Sequence, residues 1–185
     1  RDDLEERLAA HLEKALREAK EVTQWYDPDE AAEAQAGDSA RALLADWRTH
    51  APDALRELVR VGESLSLTQL ALRCMIPGVP DIYQGTETGL FALTDPDNRA
   101  PLDPAAPVNI FGARKRELLR ELLSLRRQHR AVFAHGACRL EQDGDALRLI
   151  REHGDDAVVL RFARDGSILP EALAMRRTAD ARHNG

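Results

Sequence analysis

The sequence is poor in aromatic residues. They fill 4% of its 185 positions, as two tryptophans, two tyrosines and four phenylalanines, few for a chain that must build a stacking surface by itself. Cysteine is equally scarce. Cys74 and Cys138 lie far apart, so there is no disulfide framework, and no Cys–His cluster has zinc-ligand spacing. The six histidines are scattered, and a reducing, cytoplasmic home is the default expectation. No apolar run nears the ~20 residues that a membrane helix needs. A surplus of basic charge is absent too. Lys and Arg number 26 against 32 Asp and Glu, a formal net charge of -6, which argues against a nucleic-acid or polyanionic membrane partner. The chain starts Arg1-Asp2-Asp3, without Met, a charged n-region or an apolar h-region, so no signal peptide is read there. Its start inside a helical pattern leads us to expect a piece of a longer protein.

What is present supports a folded unit. Hydrophobic residues make up 43% of the chain and charged ones 31%, enough for a core in a domain or a domain and a half. Leu4, Leu8, Leu12, Ala15 and Ala19 recur at spacings of three and four, predicting an amphipathic helix over 3–22. Asp27-Pro28 ends it. The Ala-rich stretch 29–49 carries Gly37-Asp38 in its middle and reads as a short helix, a break and a second helix. Pro52 opens a helix over about 53–75, which Gly62 could kink or split. Its second half, with Leu67, Leu70, Leu72 and Cys74, is apolar on most sides and is expected to be buried. Pro77, Gly78 and Pro80 stop it. Residues 81–84 form a short strand candidate, and 85–112 is a long polar loop, long enough to be functional. Helix 113–129 follows, with Arg116, Glu117, Arg120 and Glu121 on a solvated face. Short strands then alternate with turns at Asp143-Gly144 and Gly154-Asp155. Residues 164–185 show no convincing period.

The stretch from Pro77 to Glu87, PGVPDIYQGTE, runs from a helix stop into polar residues Tyr83, Gln84, Thr86 and Glu87. If 81–84 is a barrel strand, these lie at its C-terminal end, where barrel active sites are built. Downstream, Asp95, Asp97, Asn98 and Arg99 surround the stiffening Pro96. Carboxylates, amides and guanidinium groups together can match sugar hydroxyls. The structural alternatives are plain. Pro77, Gly78 and Pro80 set a break, Tyr83 and Gln84 pack, Glu87 joins an ion pair, and Asp95, Asp97 and Arg99 staple a loop. Lys14, Arg17 and Lys20 share a helix face that would ordinarily be solvated, and Trp25 would more often be core or a staple than a sugar platform.

PGVPDIYQGTE followed by DPDNR resembles the maltooligosyltrehalose synthases of the alpha-amylase family. In that wider family a Gly-x-Pro-x-x-Tyr-x-Gly-x-Glu pattern, here Gly78, Pro80, Tyr83, Gly85 and Glu87, marks the eighth barrel strand and its exit. A second block, Lys14 to Lys20 with Thr23, Trp25 and Pro28, is similar to the same family's segment after its last catalytic aspartate. The resemblance covers about residues 4–162. Departures from the pattern are Ala32 before Glu33 in place of Tyr, Thr88-Gly89-Leu90 in place of Leu-Trp-Asp, and Ala100 in place of a second Arg.

The resemblance implies an α/β fold: the C-terminal part of a (β/α)8 barrel, largely helical, over 1–130, a small antiparallel β domain over 131–163, and an irregular tail over 164–185. It implies an isomerase, a (1→4)-alpha-D-glucan 1-alpha-D-glucosylmutase, that turns the reducing-end α-1,4 link of a maltooligosaccharide into an α-1,1 link. The chemistry would resemble a retaining glycosidase, with all three catalytic carboxylates upstream of the Lys14–Lys20 block and so outside this chain. Tyr83, Gln84, Glu87, Asp95, Asp97, Asn98, Arg99 and Arg17 would bind substrate or support its pocket, with no metal and no cofactor. Implied partners are the maltooligosaccharide, the rest of the barrel and a maltooligosyltrehalose trehalohydrolase acting next. Another glucan hydrolase or transferase of the alpha-amylase family, or a non-catalytic glucan-binding remnant, is the alternative.

Overall fold

The computed structural model describes residues 3–93, 99, 101–103, 105–165 and 167–177, the side chains of 169–177 excepted. Among the described residues five helices precede a four-stranded sheet. They are α1 (Leu4–Ala19), α2 (Glu30–Thr49), α3 (Asp53–Met75), α4 (Ile110–Gln128) and α5 (Arg130–His135), with a 3-10 turn at Thr86–Thr88. The strands are β1 (Ala137–Asp143), β2 (Ala146–His153), β3 (Asp156–Ala163) and β4 (Ile168–Arg177), antiparallel in the order β1-β2-β3-β4. Contacts divide the chain into two units. The first holds Arg1–Glu57 and Phe91–Pro104, the second Leu58–Leu90 and Ala105–Gly185.

In the first unit α1 packs against α2. The predicted break at Gly37-Asp38 is absent, and α2 is continuous. Gly37 is buried, and a Cβ there would first meet Arg41 at 3.6 Å. Asp38 pairs with Arg41 one turn on, at 2.7 Å, and the flanking alanines favour helix strongly enough to carry the chain through.

The second unit has its core between the helices and one sheet face. Leu70, Ala71, Cys74 and Met75 of α3, Leu119 and Leu122 of α4, and Val132 and Phe133 of α5 pack with Leu149, Val158, Leu160 and Phe162 of the sheet. Residues of the expected barrel portion and of the expected β domain thus share one core. The period-2 rule explains which sheet residues face it: Leu147, Leu149 and Arg151 alternate on β2, and Val158, Leu160 and Phe162 on β3. The other face carries Arg139, Glu141, Asp143, Arg148, Glu152 and Arg161 in ion pairs. Gly62 neither splits nor ends α3.

Two further expectations are corrected. Residues 81–84 are not a strand: a strand needs a neighbour for its ladder, and no described strand pairs with them. The tail is not irregular throughout, because 168–177 adds β4 to the edge of β3. A bulge between Leu160 and Phe162 in that ladder helps hide it from a simple alternation search. The six-residue α5, wholly unread in the sequence, is too short for a periodic signal.

Arg151 is 1% exposed. Its guanidinium donates to the carbonyl oxygens of Met75 (2.9 Å), Val132 (3.2 Å), Phe133 (2.9 Å), Gly136 (3.2 Å) and Ala137 (3.3 Å). Met75, Val132 and Phe133 lie in the last turns of α3 and α5, at the negative ends of the helix dipoles, and Val132 O also accepts from Gly136 N at 3.0 Å. Arg126 donates to the Cys74 and Gly78 carbonyls, both at 2.6 Å. Both guanidinium groups lie over the Phe133 ring, at 4.8 Å for Arg126 and 5.6 Å for Arg151. Arg151→Ala removes a donor from five carbonyls, of which Val132 O keeps Gly136 N, and opens a cavity. We expect a loss of about 3 kcal/mol or more by urea denaturation, whereas Arg139→Ala on the half-exposed outer face should cost under about 1 kcal/mol.

Candidate functional site

The resemblance motif from Pro77 to Arg99 is divided between the two units at Leu90 and Phe91. Its second-unit part begins where α3 stops. Ile76 N donates to Leu72 O at 2.9 Å, Arg73 Nη1 donates to Asp81 O at 3.0 Å, and Arg126 holds Gly78 O. The chain then runs through Tyr83, half exposed, and Gln84, exposed, into the 3-10 turn that carries Glu87, partly buried. Gly85 and Gly89 bracket that turn in the left-handed region, at φ 83° and 82°. A side chain at either would be strained. Gly89, a departure from the family pattern, thus closes the turn here, donating its N–H to Thr86 O.

The turn packs on the N-terminus of α4. Asn109 caps that helix, its side-chain oxygen accepting from Gly112 N at 2.7 Å. At Gly112 an added Cβ would stand 2.2 Å from Thr88 O, so only glycine permits this approach. Lys115, one turn further along α4, lies 5.9 Å over the Phe111 ring. Burial and the Arg73 charge pull its amine below the ordinary lysine value, and the Glu87 carboxylate opposes them. Sequence reading missed Lys115, which looked like one more cation on a charged helix.

Arg17 and Arg99 belong to the first unit. Arg99 is exposed. Asp95, Asp97 and Asn98 lie outside the described residues. Arg17 is not on a solvated face. Its side chain is 18% exposed and forks onto Glu33, with Nε to Oε1 at 2.8 Å and Nη2 to Oε2 at 2.7 Å, while Nη1 reaches Glu13 at 2.9 Å. Thr23, fully buried, donates to Glu33 Oε1 at 2.6 Å and accepts from Asp29 N at 2.9 Å. Trp25 is not core: it is 54% exposed and lies over the Arg17 guanidinium at 5.0 Å. The Lys14–Pro28 block thus becomes a built network, with Glu33 as the member that sequence reading noted only beside a departure.

Among the described residues no helix is long and apolar enough to cross a membrane, and no group of three or more His, Cys, Asp or Glu could hold a metal ion. A cleft of about 500 Å³ lies in the second unit between Arg60, Glu63 and Leu67 of α3 and Phe111 and Arg114 of α4.

With this geometry in hand, comparison with known proteins first returns a class. The fold matches a solved maltooligosyl trehalose synthase at a TM-score of 0.71 and 29% identity, over 92% of this chain and 27% of that one. It also matches one from Sulfolobus tokodaii at 0.67 and 24%, over 95% and 28%, a likeness of fold. In sequence the chain is 36% identical over 135 residues to curated relatives named maltooligosyl trehalose synthase, from two strains of Mycobacterium tuberculosis. No family model matches it. The match covers 71% of this chain and 18% of those relatives, so the chain spans about a fifth of their length. This chain is a homologue of maltooligosyl trehalose synthases.

The Arg17–Glu33 pair has a pH signature. The bidentate hydrogen bonds of Arg17, then that of Thr23, hold the Glu33 carboxyl at about 2, down from the ordinary 4.5. A lowered folded pKa means its stabilisation is complete above the unfolded value and is lost as pH falls from about 4.5 through about 2. The Glu33 carboxyl carbon, followed by NMR, should titrate near pH 2. Glu33→Gln should remove this part of the acid dependence of unfolding while leaving stability at pH 2 little changed.

Proposed function

We propose that this chain is part of a maltooligosyl trehalose synthase: an intramolecular transglucosylase, (1→4)-alpha-D-glucan 1-alpha-D-glucosylmutase, acting on maltooligosaccharides in the cytoplasm. The observation that carries the reading is the 36% identity over 135 residues to relatives of that name. It favours this activity over another glucan hydrolase or a binding remnant. In this reading residues 1–130 form the C-terminal part of a (β/α)8 barrel, and the β domain that begins at 131 runs on through β4 to 177. The barrel's strands come from polypeptide beyond the 185 residues, as do the nucleophile and the acid/base carboxylate of a retaining mechanism. The acceptor is the released glucose, turned over within the site, so water must be kept out.

This chain's share is to shape and support the pocket. Tyr83 and Gln84 present an aromatic edge and an amide, and Glu87 sits in a turn fixed by Gly85, Gly89 and the α4 N-terminus. In this proposal Asp95, Asp97, Asn98 and Arg99 supply hydroxyl partners, and Arg17 supports the pocket through its own network with Glu33 and Trp25. The product would pass to a maltooligosyltrehalose trehalohydrolase.

Forming an α-1,1 link consumes a reducing end, whereas hydrolysis creates one. The purified 185 residues incubated with maltopentaose should change the reducing-end count not at all. Joined to polypeptide supplying the remaining length of a relative, they should lower it, and Glu87→Gln should slow that loss by about tenfold or more. Loss of reducing ends with the 185 residues alone would overturn the placement of the carboxylates, and a rise with the joined protein would make it a hydrolase.

A further inference from the structure

Trp25 and Tyr26 are adjacent, and both are exposed, at 54% and 82%. In a chain with only two tryptophans and two tyrosines, half of them stand side by side in solvent. They occupy the two central positions of a tight turn closed by Asp27 N donating to Gln24 O at 3.2 Å, with a bridge between Gln24 and Asp27. The turn is anchored on both sides. Before it, Thr23 is buried and bound to Glu33, and after it Asp29 N donates back to the Thr23 hydroxyl. Asp29 also caps α2, accepting from Ala32 N at 3.0 Å. Beneath the Trp25 ring lies the Arg17 guanidinium, itself fixed by Glu33 and Glu13.

A ring backed on one side by a fixed guanidinium and still more than half exposed offers its other side to solvent. Leaving an indole there costs hydrophobic stabilisation, and ordering its support uses four polar side chains. An exposed aromatic plate held from behind suits stacking on the C–H face of a glucose ring.

We propose that the Gln24–Asp27 turn is a carbohydrate-binding platform on which Trp25 stacks against a glucose unit of an α-1,4-glucan, with Tyr26 extending the contact. The choice of glucan rests on the function proposed above, while the platform rests on the turn itself. Arg17 is a positioning residue in this arrangement: it holds the ring and leaves the sugar to Trp25.

The probe is maltoheptaose, titrated into the 185-residue chain by calorimetry and by the emission of Trp25 in a Trp47→Phe background. Saturable binding with a change in Trp25 emission is expected. Trp25→Ala should weaken the affinity about tenfold, and Trp25→Phe, which keeps a ring, by about threefold or less. Unchanged helical circular dichroism in both variants shows that the fold is kept, as expected for a ring this exposed. Equal affinity of Trp25→Ala and the parent overturns the platform, as does absence of maltoheptaose binding. So does a Trp25 emission change produced only by added polypeptide, which would make the turn a protein contact. The reading of the reaction is judged separately, by consumption of reducing ends in the joined protein, so either can fail alone.

Discussion

Arg151 is the constraint on which the second unit depends. A guanidinium taken almost fully out of water is costly unless its donors are met. Here they are met by five backbone carbonyls, three of them at the closing turns of α3 and α5. The helix ends need a donor and the arginine needs acceptors, so neither arrangement is stable without the other. Arg126 repeats the device half a step outward, at Cys74 and Gly78. Burial leads the forces that pull its pKa below the ordinary value, with the Arg151 charge adding to them and Cys74 opposing. The Cys74 thiol, pushed up by the same burial, stays a small apolar filler.

The consequence for function lies in the segment after α3. Gly78 is held through Arg126, and Asp81 O through Arg73, so the chain enters Tyr83 to Glu87 already fixed at two points. The glycine-bracketed turn is then seated on α4 at Gly112, where no side chain fits. A binding loop gains from such preorganisation because less ordering remains to be done when the ligand arrives. The first unit uses the same means in another form. Arg17 answers one carboxylate bidentately and backs one aromatic ring, so scarce aromatic residues are placed by arginines in both units.

Much of the fold could be read in the sequence because it rests on local signals. The periodicities of α1, α3 and α4 and the Asp143-Gly144 and Gly154-Asp155 turns gave those elements nearly to their ends. The misses depend on distant partners. Residues 81–84 have strand-like composition and no described strand beside them, while 168–177 look patternless and become a strand because β3 offers an edge. Arg151 follows Leu147 and Leu149 in alternation on the core face, but an arginine at such a position acquires its meaning only from the carbonyls of α3 and α5 that receive it. The candidate site was legible as family wording more than as physics. Lys115 and Glu33 acquire meaning only when Arg73, Glu87, Arg17 and Thr23 surround them.

Amide hydrogen exchange on the parent and on Arg126→Ala addresses the central claim most directly: that the arginine pair ties the Pro77–Glu87 segment to the sheet-bearing core. The parent should protect the amides of Ile76, Thr86 and Thr88, which donate to Leu72, Tyr83 and Gly85. The variant should lose that protection at least tenfold while the β2–β3 amides keep theirs. Fast exchange at these three amides in the parent, or equal protection in the variant, would contradict it.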